Sequence, residues 1–244
     1  MHDMRSLRSW IKHGLFVPSK KLTARREISR YLARTPAPRL NIGAGGNRVR
    51  GWLNLDLSPS PGVSFMDASR KWPFGDASID AILCEHMIEH VSKSLGTHLL
   101  REARRTLKPG GWLRVVSPDL DWLARRILEP ATPSDERYLQ FINGFFDRRA
   151  TSWCDAINLC FYEHGHRYIW SIDELRSELK RAGFSELTVT RAAFPTHPVF
   201  RGAEGHPRLI GAENDAIEAF AIEAMAPIYR ASNRARNGSV SVPA

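Results

Sequence analysis

Glycines and carboxylates occur along the chain in the order needed to bind a molecule that contains a ribose. Gly43-Ala44-Gly45 is a glycine-rich turn, and glycine lets the backbone approach a ligand closely because it has no Cβ atom. Asp56 and Asp67 follow, and an acidic residue that ends the strand after such a turn can accept hydrogen bonds from ribose hydroxyls. Glu85-His86 comes next, and a histidine in a ligand crevice can exchange a proton near neutral pH.

Each of these groups lies at the carboxyl end of a predicted β-strand. The last of the strands is a continuous apolar run, which is typical of a buried parallel strand. Ligands bind outside the carboxyl ends of the strands in open α/β sheets, so the pattern predicts that these groups line one crevice. The predicted strands are Arg39–Ile42, Trp52–Leu57, Val63–Met66 and Ile79–Cys84.

The remaining pattern alternates between helices and strands, which predicts a doubly wound α/β domain over residues 38–229. One helix has clear boundaries, since Ser171 and Glu174 have the spacing of a capping box and Gly183 follows its end. Lys108-Pro-Gly-Gly111 predicts a turn before the fifth strand. The further predicted helices are Lys20–Arg34, His86–Val91, Leu95–Leu107, Leu120–Leu128 and Ser171–Ala182, and the further strands are Trp112–Val116, Leu187–Arg191 and Ala219–Met225.

The connection between the first two predicted strands is unusually short. Only Asn47–Gly51 separate the glycine turn from the second strand, which is too few residues for a crossover helix. Asp56 follows Gly43 by 13 positions, whereas the dinucleotide fingerprint places its acidic residue about 20 positions further on. This spacing counts against a nicotinamide cofactor.

Longer motifs surround the crevice residues, and together they resemble the class I S-adenosylmethionine-dependent methyltransferases. The resemblance covers residues 38–128 most fully and residues 164–226 more loosely. The chain is most similar to small predicted methyltransferases that are found with polysaccharide and surface-glycan biosynthesis genes. The motifs are Leu40–Gly46, Gly51–Asp56, Met66–Asp67, Trp72–Ile82, Glu85–Val91, Leu107–Arg114, Ser117–Leu120 and Ala182–Phe184.

The resemblance implies a mostly parallel, seven-stranded Rossmann-like sheet and S-adenosylmethionine as the cofactor. It assigns each crevice residue to one part of that cofactor. Gly43, Ala44 and Gly45 take the methionine moiety and the sugar, Asp56 takes the ribose hydroxyls, Asp67 takes the adenine amine, and Cys84 and Glu85 form the crevice floor, with Leu57 and Ala68 beside the two aspartates.

The implied reaction is methyl transfer, and the acceptor expected from the resemblance is a sugar hydroxyl in surface-glycan biosynthesis. A hydroxyl needs a nearby base, and His86 is the expected one, with His164 and His166 as further candidates. Methylation of RNA or of a small metabolite is an alternative. Another alternative is a catalytically silent fold that binds a cofactor or a partner.

His86-Met-Ile-Glu89-His90 also matches H-x-x-E-H, an inverted zinc-protease motif. On a helix this spacing would place both imidazoles on one face. The stretch follows a buried strand at the cofactor crevice, however, and lacks the structural context of a protease. No carboxylate cluster is visible along the sequence, so we expect no obligatory metal, and whether a metal assists stays open.

Residues 130–170 fit no α/β unit and predict a helical insertion that caps the acceptor. An insertion after a late strand is well placed to cover the crevice. This segment is rich in aromatic and histidine side chains, which are Phe141, Phe145, Phe146, Trp153, Phe161, Tyr162, His164, His166, Tyr168 and Trp170.

The basic charge is concentrated at the two ends of the chain. The net charge is +9, of which residues 1–39 carry +8 and residues 230–244 carry +3, so the body carries −2. Residues 1–37 predict a basic helical extension with an apolar stripe, which is typical of a helix on an anionic membrane surface. Residues 230–244 predict a disordered tail. Nucleic acid is a less expected partner because the body lacks a basic surface.

The composition is that of an ordinary globular protein, with 43% hydrophobic and 25% charged residues. Three cysteines without a C-x-x-C pair favour a reducing cytoplasm. No apolar run reaches the roughly 20 residues that a membrane-spanning helix needs. We therefore expect a cytoplasmic protein. Two alternatives stay open for the basic extension, peripheral contact with the inner membrane surface or packing on its own domain, and the oligomeric state also stays open.

Overall fold

A sheet of seven strands lies at the centre of the molecule, in the order β3-β2-β1-β4-β5-β7-β6. The computed structural model describes residues 17–145 and 150–228. Strand β7 runs antiparallel to its neighbours β5 and β6, and all other neighbouring strands are parallel. The predicted doubly wound, mostly parallel sheet is therefore confirmed. The strands are β1 (Arg39–Ile42), β2 (Leu53–Asp56), β3 (Ser64–Phe65), β4 (Ile79–Glu85), β5 (Leu107–Pro118), β6 (Ser185–Arg191) and β7 (Ala219–Met225).

Most predicted helices agree closely with the structure, and the insertion is helical as expected, but the short helices Pro207–Ile210 and Ala212–Glu218 were not predicted. The stretch after β4 differs, because it forms only a 3-10 turn over Ile88–His90. Strand β5 also begins earlier than predicted, since the Lys108–Gly111 turn lies inside it as an irregularity in its pairing with β4. The helices are α1 (Val17–Arg34), α2 (Lys93–Thr106), α3 (Leu120–Leu128), α4 (Pro133–Phe145), α5 (Trp153–Tyr162), α6 (Ile172–Arg181), α7 (Pro207–Ile210) and α8 (Ala212–Glu218).

Part of the predicted N-terminal extension and the predicted disordered tail lie outside the described residues. The proposed apolar stripe over residues 4–15 and the tail over 230–244 both belong to these parts of the chain. Within residues 17–145 and 150–228, the helices are all too short or too polar to cross a bilayer.

The short connection between β1 and β2 has no helix, and two buried asparagines hold it in place. The Asn41 amide donates to the Asn54 side-chain oxygen at 3.1 Å and to the Asn47 carbonyl at 2.8 Å. The same Asn54 oxygen accepts from the Val49 backbone N–H at 2.9 Å. Buried backbone groups need hydrogen-bond partners. These two side chains supply partners for backbone N–H and C=O groups of the loop that would otherwise be unpaired.

The connection between β6 and β7 (residues 192–218, hereafter the β6–β7 connection) covers the sheet face that the missing helix leaves open. Phe200 and Ala203 from this connection are fully or almost fully buried. They pack in one cluster with Trp52 and with Leu83 of β4. The β6–β7 connection therefore lies beside the short connection between β1 and β2.

A buried ionic network ties the β6–β7 connection to the sheet. Arg114 of β5 has no exposed surface, and its Nε donates to Glu204 at 2.7 Å. Its Nη1 donates to Glu223 of β7 at 3.0 Å. Glu223 also accepts from the His197 backbone N–H at 2.9 Å, so both carboxylates connect the sheet to residues 192–218.

Candidate active site

The glycine turn after β1 is held against the end of β2. The Ala44 N–H donates to the Leu55 carbonyl at 3.0 Å, and the Gly45 N–H donates to Asp56 Oδ2 at 2.9 Å. Gly43 has a φ of +69°, and a Cβ there would lie 2.3 Å from Met87 Cγ. Both the backbone conformation and the space therefore require glycine at position 43.

Asp56 and Asp67 lie at the carboxyl ends of neighbouring strands, as predicted. Asp56 is half-buried and accepts from the Ser58 N–H at 2.7 Å, in addition to Gly45. A carboxylate has about four acceptor positions, so Asp56 keeps capacity for further hydroxyl donors. A Cβ on Gly45 would meet nothing within 4 Å, which leaves open space beside Asp56. These features fit a ribose.

Asp67 already has local partners. Its Oδ1 accepts from the Ser69 N–H at 3.1 Å and its Oδ2 accepts from Arg70 Nε at 2.8 Å. Burial alone would raise the pKa of Asp67, but the hydrogen bonds from Ser69 and Arg70 lower it. The residues next to the two aspartates differ in exposure. Leu57 is 46% exposed, whereas Ala68 is buried.

The two residues assigned to the crevice floor have different environments. The Glu85 carboxylate accepts from the backbone N–H groups of Gly205 at 2.8 Å and His206 at 2.9 Å, so it anchors the β6–β7 connection. Its Oε2 also accepts from the Asn47 amide at 2.9 Å. Cys84 instead lies wholly within the main hydrophobic core, where burial raises the pKa of its thiol. The expectation that the Cys84 side chain lines the crevice is therefore corrected.

A partly open cavity of about 360 Å³ lies beside the end of β4. The predicted insertion covers it, because α4 and α5 supply much of its wall. Its lining is mainly aromatic and apolar, with histidines and carboxylates at one side. Among the lining residues are His86, Glu89, Trp122, Tyr138, Phe141, Trp153, Ala156, His164, His166, His206 and Glu218.

His86 lies in this cavity between two carboxylates. Its Nδ1 is 3.2 Å from Glu89 Oε1, and its Nε2 is 3.4 Å from Asp215 Oδ1. Burial would lower the pKa of His86, but Asp215 and Glu89 together raise it well above its usual value of 6.5. Both ring nitrogens of His86 thus face carboxylates, which disfavours it as the base that removes a hydroxyl proton.

Three residues that the sequence analysis did not identify complete this side of the cavity. His206 Nδ1 is 2.6 Å from Asp215 Oδ1 and 3.7 Å from Glu218 Oε1. Glu218 also accepts a hydrogen bond from the Tyr138 hydroxyl, and burial raises the pKa of Glu218. These carboxylates form a cluster that is not visible along the sequence, because the β6–β7 connection brings Asp215 and Glu218 beside His86.

His166 is the histidine of the insertion that is best placed to accept a proton. Its Nδ1 is 2.6 Å from the Cys160 carbonyl, and since a carbonyl only accepts, this nitrogen carries the hydrogen. The Nε2 lone pair is then free in the neutral ring. Burial lowers the pKa of His166, which keeps the ring neutral at pH 7.

His164 also borders the cavity but is exposed, and burial of part of its ring lowers its pKa as well.

Comparison with models of known protein families assigns the chain to one family. A family model described as a methyltransferase domain matches residues 23–189. No curated protein matches the sequence.

Solved structures show a distant similarity. An S-adenosylmethionine-dependent methyltransferase from Archaeoglobus fulgidus is 16% identical, with 89% of this chain and 99% of that chain covered and a TM-score of 0.45. A possible histamine N-methyltransferase from Thermotoga maritima is 20% identical, with 91% and 96% covered and a TM-score of 0.46. Phosphoethanolamine N-methyltransferase 2 from Haemonchus contortus, in complex with phosphomonomethylethanolamine and S-adenosylhomocysteine, is 14% identical, with 83% and 52% covered and a TM-score of 0.42.

Family membership rests on the family model, which covers more than half of the chain. The strand-end glycines and carboxylates agree with it, because they form the open, ribose-compatible crevice described above. The chain therefore belongs to the methyltransferase-domain family, and it is an enzyme that uses S-adenosylmethionine as its methyl donor.

Proposed function

We propose that the enzyme methylates a hydroxyl group of a small, sugar-like acceptor that binds in the cavity beside β4. The observation that carries this proposal is the cavity with aromatic walls next to the end of β4, lined by a histidine whose Nδ1 is bonded to the Cys160 carbonyl. Its volume of about 360 Å³ is near the lower end of the range for small-molecule sites. We further propose that the acceptor belongs to surface-glycan biosynthesis, in line with the motif resemblance.

The residues of this chain perform two tasks in the proposed reaction. S-adenosylmethionine, when bound, supplies an electrophilic methyl group. The acceptor oxygen bonds to the methyl carbon as the sulfur–carbon bond breaks, and the hydroxyl proton passes to His166 Nε2. The aromatic walls hold the acceptor and exclude water, and such positioning supplies much of the rate enhancement in displacement reactions. The carboxylates on the His86 side can hydrogen-bond the remaining acceptor hydroxyls.

The experiment that tests this proposal locates the transferred methyl group. The purified enzyme is incubated with isotope-labelled S-adenosylmethionine and separate pools of sugar nucleotides, glycans, amines and RNA, and the products are identified by mass spectrometry. We expect the label as a methyl ether on a sugar. A label found only on nitrogen or only on RNA would overturn the proposal, and so would cofactor binding without any methylated product.

Asp56 is expected to hold the ribose of the cofactor. Replacing Asp56 with alanine removes charge-assisted hydrogen bonds to two hydroxyls, so the cofactor should bind about 2–4 kcal/mol more weakly. Isothermal titration calorimetry with S-adenosylmethionine measures this difference. Asp173→Ala is the matched control, since its side chain is 93% exposed on α6. Equal affinity of the Asp56 and Asp173 variants would remove Asp56 from the cofactor site.

A further inference from the structure

A cluster of two histidines and two carboxylates lies at the β4 side of the cavity. The members are His86, His206, Asp215 and Glu218, and one ligand atom from each lies within 4.8 Å of all the others. The Asp215 side chain is fully buried and the Glu218 side chain is 23% exposed. The cluster is assembled by the fold, because His86 follows β4 while the other three belong to the β6–β7 connection.

Two atoms of this cluster are buried without a hydrogen-bond partner in the described structure. Asp215 Oδ2 has none, although buried carboxylates are normally paired. His86 Nε2 also has none, because its approach to Asp215 lacks hydrogen-bonding geometry. Leaving such groups unsatisfied destabilises a protein, so the arrangement fits a missing ligand between them.

The backbone of His86 has an unusual conformation. Its φ is +44°, in a region that residues with a Cβ atom adopt less often, and such conformations are concentrated at functional sites. The His86 ring centroid lies 4.1 Å from that of His206.

We propose that His86, His206, Asp215 and Glu218 bind a divalent transition-metal ion of the zinc class in the acceptor cavity. Mixed imidazole and carboxylate ligands suit Zn²⁺, whereas Mg²⁺ prefers oxygen ligands alone. Ligands on a tetrahedral zinc ion at about 2.0–2.2 Å lie roughly 3.4 Å apart. Two separations within the cluster, 3.4 and 3.7 Å, are close to this spacing. The third, 2.6 Å between His206 Nδ1 and Asp215 Oδ1, is a hydrogen bond that the ion would replace.

Charge also favours a cation at this position. Glu89 and Glu218 line the cavity with His86 and His206, and the buried Asp215 lies against both histidines. Buried charges are retained when they are paired or when they coordinate a metal. A divalent ion would balance this group and satisfy both unpartnered atoms. This role rests on the proposed function: an acceptor hydroxyl bound to the ion would be more acidic and would lose its proton more readily to His166.

The test uses metal ions alone, so it does not depend on the acceptor. The full-length chain is treated with a chelator, dialysed and titrated with ZnCl₂ and, separately, MgCl₂ by isothermal titration calorimetry. We expect one zinc ion per chain and much weaker magnesium binding. Zinc should also raise the melting temperature, because a ligand that binds only the folded state stabilises it.

Variants show which residues hold the ion. His206→Gln is expected to weaken zinc binding by about 100-fold, at the upper end of the losses seen when the surroundings of a metal site are altered, and to abolish the thermal shift. His98→Gln, at a half-buried histidine on α2 whose Nε2 lies 3.1 Å from the Arg70 carbonyl oxygen, should leave both unchanged. His90→Gln tests a second group of possible ligands, formed by Glu89, His90 and His166.

Two results would overturn the proposal. One is the absence of stoichiometric zinc binding by the wild-type chain. The other is binding that survives His206→Gln but is lost in His90→Gln, which would place the ion in the second group. If sugar methylation fails while zinc binds through His206, the proposed acceptor is wrong and the metal site stands.

Discussion

A chain with His166→Gln is expected to turn over its acceptor about 100- to 10,000-fold more slowly than the wild type, which is the usual contribution of a general base. The neutral His166 ring lines the cavity, and its hydrogen bond to the Cys160 carbonyl leaves Nε2 free to accept a proton. Glutamine retains an amide donor for that carbonyl but cannot act as a base near pH 7. Steady-state kinetics with the acceptor identified by mass spectrometry measure the loss.

The pH dependence separates catalysis by His166 from a structural role. Because burial lowers the pKa of His166 below 6.5, the wild-type rate should fall only in the acidic range, where the ring becomes protonated. His90 and His164 also lower this pKa and Glu89 raises it, so these neighbours should shift the midpoint of the acidic limb. The limb should disappear in His166→Gln, and cofactor affinity should not change. If instead His86→Gln abolishes the limb and His166→Gln retains turnover, His86 is the base.

Arg114→Met is expected to destabilise the protein by about 3–5 kcal/mol, because it leaves two buried carboxylates without their cation. Arg114 has no exposed surface, and Glu204 and Glu223 are exposed by 4% and 1%. Methionine has a similar length and fills most of the same space. Urea denaturation followed by circular dichroism measures the change in the free energy of unfolding.

Two further chains test the physical cause of this loss. Arg176→Met breaks an exposed pair with Asp173 and should cost at most about 1 kcal/mol. The triple variant Arg114→Met, Glu204→Gln, Glu223→Gln removes the uncompensated charges, so it should be more stable than Arg114→Met alone. A loss below about 1 kcal/mol in Arg114→Met would show that the network contributes little to stability.

The strand-end residues could be predicted from sequence because their signals are local. Gly43 and Asp56 follow short apolar runs, and a parallel sheet necessarily brings the carboxyl ends of its strands to one edge. The short β1–β2 connection was also visible, since the number of residues leaves no room for a helix. The roles of Asn41 and Asn54 were not visible, because an asparagine in a strand has no pattern of its own.

The acid and histidine cluster could not be predicted, because it depends on how a distant segment returns to the sheet. Asp215 lies 129 positions after His86, and no periodicity in the β6–β7 connection indicates that it covers the end of β4. The electrostatic environment of His86 depended on the same segment. Cys84 was misplaced for a different reason, since β4 is buried on both faces and a continuous apolar run does not show which side chains face the crevice.

The most direct test of the account is to fill the cavity and measure methyl transfer. Ala156 of α5 is buried in the cavity wall, so Ala156→Phe should place a ring where the acceptor binds. Asn158→Phe adds the same ring to an exposed position of the same helix and serves as the control. The rate of S-adenosylhomocysteine release should fall to background in Ala156→Phe and stay at the wild-type level in Asn158→Phe, with equal cofactor affinity in both. Turnover by Ala156→Phe at the rate of Asn158→Phe, with both chains folded, would show that the acceptor binds elsewhere.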